Sequence, residues 1–413
     1  MIKQKKQEYL IISVLPLLLI IYSMMKISFL EFLEGMKMIT LSDGVLLTDN
    51  FKIAGTYTSL INASIITLIN IVLLYKLDMK INGLVISGIF LMLGFSLIGK
   101  NLINIIPFYV GAYLYALYNR QSFKSIVIIC MFSTCLSPMV SSVAKLFNYT
   151  LIGIILAFIL GVILGFIVPP ISTRAVQFHG GYSLYNTGLS AGLVAVVFYS
   201  IMKNLGINME SRGNYLETQN YEVMLVLIIV FLFYIFYGFK RNNYSFDGYR
   251  KIFSHSGRLI TDFTVTEGVS LVFVNIGILG LMCTAIIFFF FPVNGPILCG
   301  LLTVVGFGGF GKHLKNVLPV MFGVMIAYYF FGQSIPLTNY AIIMFFSTTL
   351  APISGKFGFI IGILVGFLNY CVTLNVGVTH GGLNLYNTGF SAGILATVCV
   401  PILQIFFDEN KKR

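Results

Sequence analysis

Basic side chains occur inside apolar segments that are long enough to cross a membrane. Lys100 and Lys312 each interrupt a glycine-rich apolar stretch, and Arg174 follows a pair of prolines in a third. Positive charge near the middle of a bilayer, without an acidic partner, suits an anionic solute. Alternatively, each lysine lies near the membrane surface, where its flexible stem lets the ammonium reach the lipid headgroups. These three residues are candidates for binding an anion or another small polar solute.

A second group of candidates belongs to a motif that occurs twice. Residues 179–192 read HGGYSLYNTGLSAG and residues 380–393 read HGGLNLYNTGFSAG, which are identical at 11 of 14 positions. Non-helical backbone is tolerated at membrane depth only where protein or a water-filled cavity satisfies its polar groups. We therefore predict that each motif is an unwound or re-entrant segment that lines a solute site. The candidate substrate-binding residues are Lys100, Lys312, Arg174, His179, Tyr185, Asn186, Thr187, Ser190, His380, Tyr386, Asn387, Thr388 and Ser391.

The same residue types also have purely structural explanations. Asn and Thr are common helix caps, and the glycines of each NTGxSAG sequence form a small-xxx-small pattern typical of helix packing. If the motif opens a half-helix, Asn186 and Thr187 lie on its first turn, where unpaired N–H groups favour an anion. His179 and His380 either contact the solute, relay protons or tie down the loop.

Carboxylates are absent from most of the apolar sequence. The chain has 14 Asp and Glu residues, and none of them lies in 83–203 or 268–407. Proton and cation pathways normally place carboxylates inside the helix bundle, so we do not expect coupling through a buried acid. Asp49 and Asp262, which share a repeated TD sequence, are the exceptions at the mouth of the bundle. Their alternative role is to cap the helix that follows.

Composition places all of these residues in a membrane protein. Of 413 residues, 58% are apolar or aromatic and 10% are charged, and the mean hydropathy is +0.93. A soluble chain carries roughly a quarter charged residues, whereas here uncharged stretches able to cross a ~30 Å bilayer core recur throughout. The net charge of +12 is explained by Lys and Arg in cytoplasmic loops. It does not indicate a nucleic-acid partner.

The repeated motif belongs to a longer duplicated unit. Upstream of it, GVLLTDNF from Gly44 matches GRLITDF from Gly257, and FSTCLSP from Phe132 matches FSTTLAP from Phe346. A 30-residue stretch from Asn82 also matches the stretch that begins at Asn294. We therefore predict a signal-anchor helix and loop in 1–43, repeat 1 in 44–203, a linker with a connecting helix in 204–256, repeat 2 in 257–406 and a basic cytoplasmic tail in 407–413.

The apolar segments and the charges together predict that the second repeat is inverted. Six segments in each repeat, one before them and one between them, give about 14 transmembrane helices. Loops 76–80 and 120–124 carry basic residues, whereas their equivalents in repeat 2 carry none, as expected if the loop changes sides. With both termini in the cytoplasm, 19 of the 26 Lys and Arg residues lie inside. We predict an all-α, multi-pass protein of the cell membrane with two inverted-topology repeats.

Each repeat contains two segments that we expect to be broken. The first is GFSLIGKNLINIIP, in 94–107, with its mate GFGGFGKHLKNVLP in 306–319. In the second, we predict that a helix ends at Pro169 and Pro170 and that the next begins near Asn186. Proline removes a backbone donor and clashes with the preceding turn of a helix.

Several of these residues resemble known families. The polar turn LYNTGLSAG, the stretch FSTCLSPMVSS and the two inverted halves resemble the urea transporter fold, which is also seen in membrane subunits of sodium-pumping quinone reductases. The LPxxTxPF signature of urea pores is absent, so their selectivity residues are not carried over. The paired HGGxxLYNTG motif and the chain length more closely resemble an uncharacterised family of bacterial multi-pass proteins, a domain of unknown function. The urea transporter resemblance implies a homo-oligomer by analogy.

These observations predict a transporter or channel for a small solute, with its path between two inverted repeats. A small anion or polar metabolite is the preferred solute. A urea-type neutral solute is the alternative within transport, and a membrane scaffold or subunit is the alternative outside it. We expect no enzyme activity and no metal or other cofactor, because the bundle lacks carboxylates, a metal-ligand cluster or an activated nucleophile. The expected partners are the solute and the lipid bilayer.

Overall fold

The computed structural model describes residues 2–209, 213–331 and 335–409. Over these residues the chain is helical, and they contain no named β-strand. The prediction of an all-α fold is therefore confirmed. The predicted basic tail, at Lys411, Lys412 and Arg413, lies outside the described residues.

The helices follow each other in two series of ten. The first series consists of α1 (Ile2–Met24), α2 (Phe29–Thr40), α3 (Asn50–Ala54), α4 (Thr56–Lys76), α5 (Gly83–Phe95), α6 (Leu102–Tyr118), α7 (Val127–Ser133), α8 (Ser137–Leu146), α9 (Leu151–His179) and α10 (Asn186–Asn204). The second consists of α11 (Tyr221–Arg241), α12 (Tyr249–Ile252), α13 (Phe263–Thr266), α14 (Val269–Phe290), α15 (Gly295–Gly306), α16 (Leu314–Phe331), α17 (Leu337–Ser347), α18 (Ala351–Phe357), α19 (Phe359–Val376) and α20 (Asn387–Glu409). Short 3-10 turns lie at Phe123–Ser125, Thr134–Leu136, Phe307–Gly309, Thr348–Leu350 and Gly377–His380.

Ten helical segments of the described residues are long and apolar enough to cross a membrane. They are Gln4–Met24, Thr56–Lys76, Val127–Leu146, Leu151–His179, Tyr221–Arg241, Val269–Phe290, Leu314–Phe331, Leu337–Phe357, Phe359–His380 and Asn387–Phe407. Shorter apolar helices lie at Gly83–Phe95, Leu102–Tyr118 and Gly295–Gly309. These segments confirm a multi-pass helical membrane protein, whereas the number of fourteen spans stays a prediction.

The helices α5 and α15 are too short to cross a bilayer. They contain 13 and 12 residues, which at 1.5 Å per residue makes each roughly 20 Å long, against a core of ~30 Å. They pack side by side and run in opposite directions, since Gly83 lies beside Gly309 and Gly295 lies beside Leu97. The predicted interruptions are present, because α6 begins only at Leu102 and α16 only at Leu314.

Two asparagines hold the turns that follow these short helices. Asn62 Nδ2 on α4 donates to the backbone oxygens of Ser96 and Lys100, at 3.0 and 3.1 Å. Asn275 Nδ2 on α14 donates to the oxygens of Gly308 and Lys312, both at 2.8 Å. The last carbonyls of a helix have no partner within the helix. The carboxamides therefore supply the donors that allow α5 and α15 to end inside the protein.

The prediction that a helix ends at the double proline is wrong. Helix α9 continues through Pro169 and Pro170 to His179. One turn onward, the hydroxyl of Thr173 donates to the oxygens of both prolines, at 3.2 and 2.9 Å. The chain leaves the helix at Gly180, whose φ of 57° is left-handed and favours glycine.

Helices α10 and α20 meet at two glycines of the repeated motif. A Cβ atom added at Gly188 would lie 2.9 Å from Gly389 Cα, and one added at Gly389 would lie 2.9 Å from Tyr185 Cβ. The motif glycines therefore do pack helices, as the small-xxx-small pattern indicates. This contact brings the two tyrosine-bearing loops together at the centre of the protein.

We expect Gly188→Ala to lower the free energy of unfolding by about 1–3 kcal/mol, because the new methyl group meets backbone that cannot move aside. The measurement is thermal unfolding of the purified protein in detergent, followed by loss of helical circular dichroism. Gly88→Ala on α5 is the control, since its Cβ would lie 3.2 Å from Met131 Cε, the end of a flexible side chain. Equal stabilities of the two variants would contradict the prediction.

Candidate functional site

The two histidines of the motif orient an asparagine. His179 Nε2 lies 3.1 Å from Asn186 Oδ1, and Ser183 N donates to His179 Nδ1 at 3.3 Å. His380 Nε2 makes the equivalent contact with Asn387 Oδ1 at 2.9 Å. Because Nδ1 of His179 accepts a hydrogen bond, the proton lies on Nε2 and is donated to the carboxamide. Of the predicted roles, the structure favours the one in which the histidines tie down the loop.

The predicted serines face packed helices. Ser190 Oγ accepts a hydrogen bond from Ser172 Oγ on α9 at 3.0 Å. Ser391 Oγ lies 2.7 Å from Thr373 Oγ1 on α19 and 3.1 Å from Asn369 Oδ1. Both serines are fully buried. They join α10 to α9 and α20 to α19, and thereby fix the helices that carry Asn186 and Asn387.

Each tyrosine-bearing loop is held by the other series of helices. The backbone N–H groups of Leu184 and Tyr185 donate to O and Oγ1 of Thr349, at 3.1 and 2.9 Å. In the second copy, Leu385 N donates to Cys135 O at 3.1 Å. The 3-10 turns at Thr134–Leu136 and Thr348–Leu350 therefore position the tyrosine of the opposite series.

Lys100 and Lys312 are completely buried, with 0% exposure of each. This excludes the alternative in which they reach the lipid headgroups. Lys312 Nζ donates to Tyr185 Oη and lies 5.2 Å from the centre of the Phe307 ring. Lys100 Nζ lies 5.4 and 5.6 Å from the ring centres of Phe95 and Tyr386. Both ammonium groups thus lie against the faces of aromatic rings, where a cation is attracted.

Arg174 does not join the other candidates. It is exposed on the last turns of α9, because that helix continues past the prolines instead of breaking at them. Its equivalent, Asn375, is also exposed and donates to Cys371 O of its own helix at 2.8 Å. The expectation that Arg174 sits in a break at membrane depth is therefore wrong.

Six aromatic rings surround the point where the two series meet, and we call them the aromatic constriction. The rings of Phe95 and Tyr386 are 4.4 Å apart, and those of Tyr185 and Phe307 are 4.7 Å apart. The Phe346 ring lies 6.4 Å from that of Tyr185 and thereby connects the two groups. The constriction consists of Phe95, Phe132, Tyr185, Phe307, Phe346 and Tyr386.

Two cavities end at this constriction. The wide vestibule, of about 430 Å³, is lined by Lys124, Phe132, Tyr185, Asn186, Thr187 and Tyr386, among other residues. The narrow vestibule, of about 190 Å³, is lined by Asn339, Phe346, Leu385, Asn387 and Thr388, among others. A cavity of about 10 Å³ lies between them, and its lining includes Phe95, Tyr185, Phe346, Tyr386 and Thr388. The buried lysines lie behind the rings and are not part of these linings.

The two vestibules use matching sequence positions. Asn186 and Thr187 line the wide vestibule, whereas Asn387 and Thr388, from the second copy of the motif, line the narrow one. Phe132 and Phe346 occupy the same position in FSTCLSP and FSTTLAP and likewise lie in different vestibules. The four phenylalanines of the constriction were not among the predicted residues, although the repeated FST and GF sequences contained the signal for them.

Asp49 and Asp262 cap the short helices α3 and α13, which is the second of their two predicted roles. Each carboxylate also accepts a hydrogen bond from a residue of the other series. Asp49 Oδ1 accepts from Phe51 N at 3.0 Å and from Gly295 N, at the start of α15, at 3.1 Å. Asp262 Oδ1 accepts from Gly83 N, at the start of α5, at 3.2 Å. Each carboxylate therefore anchors the short helix of the opposite series.

Asp49 is further covered by the chain that precedes α11, and Leu216 N donates to its Oδ2 at 2.9 Å. Burial raises the pKa of Asp49 to about 6, although backbone N–H groups favour its charged form. Since the ordinary value is 3.8, the contribution of this group to stability is fully present below pH 3.8. It is lost as the pH rises to about 6.

Between about pH 4 and pH 6, we expect the free energy of unfolding of the wild-type protein to fall by about 3 kcal/mol relative to that of Asp49→Asn. The figure follows from the rise in the pKa of Asp49 from 3.8 to about 6, because a change of one in pKa corresponds to about 1.36 kcal/mol. Thermal unfolding in detergent from pH 4 to pH 7 measures this difference. The control is Asp262→Asn, which removes the partly exposed carboxylate at the equivalent position. Parallel pH profiles of the wild-type protein and Asp49→Asn would show that Asp49 does not titrate in this range.

The linings of the two vestibules have the composition of a small-molecule site. The described residues contain no group of three or more His, Cys, Asp or Glu side chains that could hold a metal ion. Cavities with mostly apolar linings and a few fixed polar groups are typical of sites for small molecules. Here the fixed polar groups are the Asn–Thr pairs at the starts of α10 and α20.

Comparisons with known proteins identify a family but name no activity. No curated protein and no solved structure matches the chain, so the predicted resemblance to the urea transporter fold is not supported. The family described as Protein of unknown function (DUF1576) matches residues 29–204 and 241–405. These two segments cover both copies of the HGGxxLYNTG motif and most of the chain. The protein therefore belongs to the DUF1576 family, as its paired motif and length predict.

Proposed function

We propose that this protein moves a small solute across the membrane, from one vestibule to the other through the aromatic constriction. The observation that carries the proposal is that two cavities with matching linings end at the same six rings. A scaffold has no need for such cavities. It also has no need for helices that end inside the bundle, as α5 and α15 do.

We further propose that the two series are inverted repeats with fourteen membrane segments. The antiparallel packing of α5 on α15 supports this, as does the exchange of contacts from Asp49 to Gly295 and from Asp262 to Gly83. A pseudo-twofold axis between the short helices relates these contacts, as in transporters built from inverted repeats. With both termini in the cytoplasm of a cell-membrane protein, the wide vestibule opens inward, because basic loop residues such as Lys124 prefer that side.

The solute that suits this path best is a small anion. The described residues place no carboxylate against the two buried lysines, and a buried ammonium without a counter-charge favours an arriving anion. At the mouth of the wide vestibule, Lys124 attracts the same charge. A neutral polar solute is the alternative, since the vestibules present the carboxamides of Asn186 and Asn387 and few other polar groups.

Uptake into proteoliposomes tests the proposal. The purified protein is reconstituted, and stopped-flow light scattering follows the entry of formate, acetate, chloride, urea and glycerol, with protein-free liposomes as the reference. We expect the anions to enter the proteoliposomes faster than they enter protein-free liposomes. Entry of urea or glycerol alone would favour the neutral solute. Rates equal to those of protein-free liposomes for every solute would contradict transport.

A further inference from the structure

The two buried lysines differ in what surrounds their ammonium groups. Lys312 donates to the hydroxyl of Tyr185. At the matching position, the hydroxyl of Tyr386 is buried and has no hydrogen-bond partner within the described residues. Lys100 Nζ reaches only a thioether among those residues, Met92 Sδ at 3.7 Å. Sulfur of this kind is a weak acceptor, so a strong donor and a free hydroxyl are left unsatisfied at one site.

Such an arrangement is unfavourable unless a ligand completes it. A buried hydroxyl without a partner lowers stability, and a buried charge without a counter-charge lowers it further. The unpaired hydroxyl and the ammonium group are neighbours, because Tyr386 carries the hydroxyl and Lys100 Nζ lies 5.6 Å from the centre of the Tyr386 ring. An anion near the Tyr386 hydroxyl accepts its proton in a hydrogen bond and neutralises the Lys100 ammonium.

We propose that Lys100 and Tyr386 bind the charged group of a monovalent anion, either a halide or a single carboxylate. This inference rests on the proposed transport function and assigns its binding site. One ammonium and no second cation at the site match one negative charge. The neighbouring cavity of about 10 Å³ is about the size that one water molecule needs, which favours the smallest monovalent anions.

The site is reached from one side. Tyr386 lines the wide vestibule, whereas the narrow vestibule ends at Phe346, Leu385 and Thr388. An anion that enters the wide vestibule therefore meets Tyr386 on the near side of the constriction. The pair of Lys312 and Tyr185 is closed by its own hydrogen bond. The structure thus corresponds to a state in which only the Lys100 site accepts an anion.

The test uses formate as the probe and compares Tyr386→Phe with Tyr370→Phe. Tyr370 is the matched control, because its hydroxyl is also buried without a partner among the described residues but lies outside the three cavities. The concentration of formate that gives half-maximal uptake into proteoliposomes is measured for the wild-type protein and both variants. We expect an increase of about tenfold or more in Tyr386→Phe, because a hydrogen bond to a charged group is lost. Tyr370→Phe should stay within about twofold of the wild-type protein.

A second measurement separates binding from transport. Formate should raise the thermal unfolding temperature of the wild-type protein in detergent, with sodium gluconate at equal ionic strength as the reference. This stabilisation should vanish in Lys100→Met, which also serves if Tyr386→Phe does not fold. Equal formate uptake by the wild-type protein, Tyr386→Phe and Tyr370→Phe would contradict the proposed binding site but not the proposed transport. Stabilisation that depends on Lys100, without any uptake, would overturn transport and leave the site standing.

Discussion

Phe346→Ala is expected to increase the rate of solute entry into proteoliposomes by about tenfold or more and to weaken discrimination between solutes. The Phe346 ring lines both the narrow vestibule and the small cavity beside it, so its removal joins the two spaces. Protein interiors are packed so closely that a deleted ring leaves a cavity, because the surrounding groups relax only partly. Stopped-flow entry of formate and glycerol measures both effects.

The matched control is Phe345→Ala, the preceding residue on the same helix. Phe345 is buried against the ring of Phe291, at 6.4 Å, and beside Gly300, and it does not line any of the three cavities. Both variants lose about 3–5 kcal/mol of stability through the deleted ring, but only Phe346→Ala opens the path. Equal entry rates in the two variants would mean that Phe346 does not close it.

Sequence patterns predicted the interrupted helices for which both copies carry the same signal. The glycines and the lysine of 94–107 and 306–319 mark turns whose carbonyls need outside donors, and the structure supplies them from Asn62 and Asn275. The double proline misled because membrane helices tolerate proline where neighbouring helices and side chains satisfy the backbone, and α9 runs unbroken through Pro169 and Pro170. That tolerance depends on the packing around the helix, which the local sequence does not specify.

The first helix of each series was harder to predict from the sequence than the motifs within the series. Helix α1 packs against α4, and α11 packs against α14 at the matching place in the second series. Sequence matching placed α1 and α11 outside the repeats. Much of each of these helices is exposed, at residues such as Leu10 and Leu225, and a surface in lipid needs to be apolar without a particular sequence. The motif residues are instead fixed by specific contacts.

In the candidate site, too, some features could be predicted from the sequence and others could not. The tyrosines and asparagines of LYNTG, which the repeated polar pattern indicated as candidates, lie at the vestibules. The depth of Lys100 and Lys312 could not be predicted, because a lysine between apolar segments is compatible with either the bilayer centre or its surface. The aromatic constriction was missed because phenylalanine is common throughout this chain, which contains 38 of them, and only their spatial convergence distinguishes six rings.

The double substitution Lys100→Met/Lys312→Met is expected to reduce anion entry by about tenfold or more while neutral solutes enter at rates within about twofold of the wild-type protein. Methionine matches the length of lysine but carries no charge, so the rings of the constriction keep a similar neighbour. Since each 1.4 kcal/mol changes an equilibrium constant tenfold, the loss of even a modest attraction at two sites gives this effect. Measurements with formate and with urea on the same liposomes give the ratio of anion entry to neutral-solute entry.

The double variant should also fold, which makes its transport defect interpretable. Removing the buried charges relieves the free energy needed to desolvate them, which offsets the loss of the hydrogen bond from Lys312 to Tyr185, so we expect an unfolding temperature close to that of the wild-type protein. Lys145→Met is the control, since Lys145 forms a partly exposed ion pair with Asp43 at 2.6 Å and lies away from the constriction. If the double variant kept wild-type anion entry, or lost urea entry equally, the lysines would not select the charge of the solute.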